Sequence, residues 1–165
     1  MDINYYLDKF QKSIDPADQN LFSQKQLDLK VGICRNSVVL KIQKASWTNN
    51  TLTTKPFEES IFFSVWLSDE SIKDDKLYYN IHALKLRELT GYSIKSRDFA
   101  EAFREQFKSY QYNWPNVSTQ FGPLTLMEGW VNMEAENIEV VIRELAYKFL
   151  EVQYIIDDLL NERKK

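Results

Sequence analysis

The run Ile138, Ile142, Leu145, Phe149, Val152, Ile156 and Leu159 constrains this chain more than any other feature. Its spacings alternate by four and three over about three heptads, the period of one helical face. It predicts a long helix from about residue 135 to about residue 163. Val141, Ile155 and Leu160 widen the seam toward the broad stripe of a helix lying on a sheet. A helix of some 29 residues measures roughly 43 Å, about the width of a domain of this size, so part of it has room to overhang. The seam therefore has two readings: a core stripe, or a homodimer seam through Ile142, Phe149 and Ile156.

The sheet that such a helix would cover is also legible. From Leu27 the period is two: Leu27, Leu29, Val31 and Ile33 alternate with Asp28, Lys30 and Gly32. Cys34-Arg35-Asn36-Ser37 makes a tight connection to a second strand, Val38 to Gln43, and the pair predicts an antiparallel hairpin. A polar, Thr- and Asn-rich stretch follows from Ser46 to Lys55. In the third strand Ile61, Phe63, Val65 and Leu67 face one way, and Phe62, Ser64, Trp66 and Ser68 the other. Rings on the second face imply that something covers part of it. Leu77–Leu89 is expected as a fourth strand, with a helix as the competing reading. Val117–Phe121 and Leu124–Asn132 are further strand candidates joined through Gly122-Pro123.

Two short helices precede the sheet. Asp2 can cap a first, with Ile3, Tyr6, Leu7, Phe10 and Ile14 on one face. Asp15-Pro16-Ala17-Asp18 reads as a cap with proline at the first position of a second, reaching Phe22. Ser96 can cap a middle helix with Phe99, Phe103, Phe107 and Tyr110 along one side. The expected architecture is a single α+β domain over 1–165. It has an antiparallel sheet of about five to six strands, with N-terminal, middle and long C-terminal helices packed mainly on one face.

Composition removes several chemistries. The four glycines, Gly32, Gly91, Gly122 and Gly129, stand apart, so neither a dinucleotide fingerprint nor a phosphate-cradling loop can be written. One histidine, His82, and one cysteine, Cys34, cannot complete a typical zinc site, and Gly-x-Ser-x-Gly is absent. No cofactor and no metal or catalytic residue is assigned. Cys34 reads as a bystander at a hairpin end and His82 as a structural histidine. The polar start and the lack of an apolar span point to the cytoplasm and away from a membrane partner.

Charge is uneven along the chain. Residues 1–75 sum to −2, 76–113 to +3, 114–162 to −7, and Arg163-Lys164-Lys165 add +3. The basic middle interleaves Arg87, Lys95, Arg97, Arg104 and Lys108 with rings such as Tyr92, a mixture suited to an anionic partner. Self-pairing with the acidic tail is the competing reading, and nucleic acid is disfavoured. Asp28-Leu29-Lys30 matches the strand carboxylate and lysine of metal-dependent nucleases, with Asp15 or Asp18 as the partner acids. The leading expectation is a non-enzymatic binding protein that takes an unknown protein or a second copy of itself through the last helix and exposed rings. The alternatives are a carboxylate- and metal-dependent hydrolase, and a binder of an anionic partner through 76–113.

Overall fold

A computed structural model describes residues 1–49 and 60–165. Local chemistry sets the first elements. Asp2 accepts the Tyr5 N–H at 3.1 Å and caps α1 (Ile3–Ser13). In α2 (Pro16–Gln24) the Asp15 carboxylate accepts the Asp18 N–H at 2.8 Å, and the Asp18 carboxylate accepts the Asp15 N–H at 3.1 Å. That reciprocal cap, with proline at a position that needs no N–H, fixes where α2 begins.

Strands β1 (Leu27–Cys34) and β2 (Ser37–Lys44) form the expected hairpin. Arg35 and Asn36 both take positive φ, 48° and 65°, as a two-residue turn matched to strand twist requires. Next come β3 (Ser60–Leu67), α3 (Asp69–Lys73), β4 (Lys76–Leu84), α4 (Ser96–Phe107), β5 (Thr125–Asn132) and α5 (Ile138–Asn161). The sheet runs β1-β2-β3-β4-β5, every neighbouring pair antiparallel. Among the described residues it is an α+β fold with five strands.

Several boundaries differ from expectation. The strand expected over Leu77–Leu89 stops at Leu84, because Lys85 turns to φ 55° and Leu86–Glu88 coil into a 3-10 turn. Ser96 is the first residue of α4 and not its cap; Lys95 holds the cap position without a side-chain bond. Val117–Phe121 is not a strand, and only Ser118 bridges to Glu128. In the polar stretch from Ser46 to Lys55, residues 50–55 lie outside the described residues, while Trp47 is fully buried and donates its indole N–H to Asp157 Oδ1 at 2.8 Å.

The apolar alternation sends Val38, Leu40 and Ile42 of β2, Ile61, Phe63, Val65 and Leu67 of β3, and Leu77, Tyr79, Ile81 and Ala83 of β4 into one core with α1, α4 and α5. Phe149 of α5 stacks on Phe63 at 4.6 Å. All seven residues of the C-terminal seam belong to this core, and Ile142, Phe149 and Ile156 are fully buried. The seam is thus satisfied inside one chain and leaves no surface there for a second copy, a correction to the dimer-seam reading. Among the described residues no helix is long and apolar enough to cross a membrane.

Candidate functional site

The opposite face of the sheet carries a different chemistry. Because side chains alternate across a strand, residues of even number in β3 and β4 point away from the helices. The registers Val39↔Trp66, Trp66↔Tyr78 and Tyr78↔Trp130 align three rings in one row across β3, β4 and β5. Trp66 and Tyr78 stack at 4.7 Å with planes 14° apart, and Lys76 places its ammonium 4.2 Å from the Trp130 ring centre. All three rings are half-buried. Two residues away lies a polar row: Lys30↔Lys41, Lys41↔Ser64, Ser64↔Asn80, Asn80↔Glu128. A third row pairs Phe62 with His82, ring centres 5.3 Å apart. Phe62 and Val39 are buried yet stand outside the helix-side core.

The polar row is largely satisfied within itself. Ser64 donates its hydroxyl to Asn80 Oδ1, and Asn80 Nδ2 donates to Glu128 Oε1 at 3.2 Å. Ser64 therefore hands its proton to an amide oxygen and has no general base against it. Burial pushes the Lys41 ammonium down to about 8; neighbouring Lys30 adds to the shift and Asp28 opposes it. Burial also lowers the His82 pKa, against its hydrogen bond at Leu124 and the charge of Glu128. His82 Nδ1 is buried and has no hydrogen-bond partner among the described residues. What this face leaves partly accessible is the ring row, the Lys76 ammonium over Trp130 and the Glu128 carboxylate, while Ser64 and Asn80 are buried.

Of the residues expected to bind an anion, Arg104, Lys108 and Tyr92 are engaged within the chain. Arg104 donates to the carbonyls of Leu126 (3.1 Å), Phe121 (3.1 Å), Gly122 (3.0 Å) and Thr125 (2.8 Å), clamping the turn before β5, and burial lowers its pKa despite Glu101. Lys108 pairs with Glu105 at 2.8 Å. Tyr92 packs against the core, and its backbone bridges to Lys164. Arg87, Lys95 and Arg97 are exposed in the 3-10 turn, before α4 and in its first turn. Ion pairs of α5 run to the first part of the chain: Glu139 to Lys9 (3.2 Å), Arg143 to Asp18 (3.0 Å) and Asp157 to Lys44 (2.5 Å).

The nuclease-like pair Asp28 and Lys30 is exposed on β1, but its partner acids are committed elsewhere. Asp15 caps α2, and the buried Asp18 holds Arg143 and Tyr147. Among the described residues no three of His, Cys, Asp and Glu gather as a metal site. Cys34 sits at the hairpin end opposite Ser37.

From the sequence, Tyr78 is expected only as one of the rings interleaved with the basic segment, and Trp66, Trp130, Asn80 and Glu128 are assigned to no site. The available signal was the period-two recurrence of rings and amides at 62–66, 78–82 and 128–130, but their meeting depends on register across three strands. No family model, curated protein or solved structure matches the chain.

Proposed function

We propose that the protein is a binding protein and that it takes a protein partner on the face of its sheet opposite α1, α4 and α5. The observation that carries this reading is the row Trp66, Tyr78 and Trp130, with Lys76 over the last ring. Trp and Tyr are the residues most enriched among interface anchors, because two torsions fix a large contact area. Beside it stands the half-buried Glu128 carboxylate, held by Asn80 Nδ2 at 3.2 Å, with the buried Ser64 and Asn80 bracing it from within. Such preorganisation lowers the entropy lost on association.

The test is photocrosslinking from a benzophenone side chain at position 78, followed by titration of the purified crosslinked protein. Trp130→Ala should weaken that binding about 30-fold, the loss expected at an anchor of about 2 kcal/mol, with the circular dichroism unchanged. Arg97→Ala should leave it intact. Equal affinity for the wild type and a folded Trp66→Ala, Trp130→Ala double variant would refute the reading. A loss on Arg97→Ala that deepens with salt would transfer it to the anionic-partner alternative.

A further inference from the structure

The two edges of the sheet are treated differently. The outer edge of β5 is closed: Ser118 and Glu128 exchange N–H to carbonyl bonds at 2.8 and 3.0 Å, Asn116 Nδ2 donates to the Trp130 carbonyl at 3.1 Å, and Arg104 Nε donates to that of Leu126 at 3.1 Å. Among the described residues nothing comparable reaches the edge of β1. Cys34 and Ser37 close a two-residue hairpin, so Asp28, Lys30, Gly32 and Cys34 bond to β2, and the N–H and C=O groups of Leu27, Leu29, Val31 and Ile33 point outward. Among the described residues no hydrogen bond reaches these outward groups. The strand is eight residues long, in unbroken register, with neither a proline nor a bulge to blunt it. A cavity of about 330 Å³ lined by Gln19, Asn20, Ser23, Leu27, Asp28 and Leu29 flanks its first half, so α2 leaves space beside the strand.

We infer that β1 is a self-association edge, on which a second copy of this chain pairs antiparallel about a two-fold axis through Leu29. Charge selects that register from those the outward groups permit. Centring the axis at Asp28 sets Asp28 against itself, and centring it at Lys30 sets Lys30 against itself. With Leu29 on the axis, Asp28 of each copy faces Lys30 of the other, in the close, non-hydrogen-bonded positions where cross-strand charge pairs act most strongly. The opposite face is equally self-complementary, because Leu29 meets Leu29 and Leu27 meets Val31. Leu29 and Val31 are only partly buried in the single chain, and Ile33 is 50% exposed. The product is one continuous sheet of ten strands, both ring rows on the same side. This surface is distinct from the ring face, and each can fail without the other.

The experiment is light scattering with sedimentation on the full chain across a wide concentration range. The wild type should reach twice the chain mass. Leu29→Pro removes an outward N–H without touching the β1–β2 ladder and should give a monomer. Asp28 and Lys30 are exposed, so charge variants there keep the fold whatever the proline does. Asp28→Lys should raise the dimer dissociation constant about tenfold or more, and Asp28→Lys combined with Lys30→Asp should restore it. A wild type that stays monomeric at millimolar concentration overturns the inference. So does a dimer indifferent to both charge variants, or one abolished by Trp66→Ala, which would place the contact on the ring face.

Discussion

Asp18 is the residue on which the N-terminal helices are tied to α5. Its carboxylate accepts the Asp15 N–H, the Arg143 guanidinium through Nε at 3.1 Å and Nη2 at 3.0 Å, and the Tyr147 hydroxyl. The Arg143 bonds, helped by Tyr147 and the Asp15 N–H, overcome the opposing effect of burial and hold the carboxyl at about 2, against an ordinary 3.8. A group depressed in the folded state contributes its stability above the unfolded value and loses it as pH falls. The contribution is therefore complete above about pH 4 and disappears as pH drops toward 2. Allowing for solvent screening by the half-exposed Arg143, it is worth about 1–2 kcal/mol. Asp18→Asn should cost that much in urea unfolding at neutral pH and approach the wild type near pH 2. At Gly129 the limit is space: a Cβ would strike the Tyr79 ring and lie 3.0 Å from the Pro115 carbonyl, which accepts the Tyr79 hydroxyl at 2.6 Å. Gly129→Ala should destabilise by about 1–3 kcal/mol in the same assay, as overpacking does.

Among the elements, α5 shows what periodicity does and does not tell. The spacing of Ile142, Phe149 and Ile156 reveals a helix with an apolar side, but a core stripe and a dimer seam have the same spacing; what decides is Phe63 waiting beneath Phe149. Ile142→Glu and Ile156→Glu should each unfold the chain, since both sites are fully buried in the apolar core. Val140→Glu, at a residue of α5 that is itself 58% exposed, should melt within a degree or two of the wild type by circular dichroism. Elements set by neighbours in sequence were legible: Asp2, Asp15 and Asp18 announce α1 and α2, and alternation announces β1 to β3. Elements set by distant partners were not. The ring-poor run 117–121 looks like a strand, yet Arg104 pins the turn just after it through carbonyls that no residue pattern encodes. The end of β4 likewise turns on one positive φ at Lys85, a residue with no turn signature.

At the scale of the whole molecule, the sheet has one face spent on the core, one face carrying rings, one edge closed and one edge open. Individual strands in the sequence show the two faces; the edges are assigned only once strand order is known, although β1 and β5 are the strands that carry an acidic residue and a glycine, Asp28 and Gly32 in one and Glu128 and Gly129 in the other. The open edge makes backbone exchange a direct reporter of assembly. In a single chain the amides of Leu27, Leu29, Val31 and Ile33 turn away from β2, whereas those of Asp28, Lys30 and Gly32 are bonded to it. Hydrogen exchange in dilute protein should therefore alternate along β1, fast at odd positions and slow at even ones. Raising the concentration should slow Leu27, Leu29 and Val31, which gain partners across the axis, and leave Ser118 and Glu128 unchanged, because those amides already bond each other at the far edge. Asp28→Lys should restore fast exchange at the odd positions without altering the even ones. Odd-position amides that stay fast at every concentration would show the edge open and unused, and the ring face would then be the only recognition surface the sheet presents.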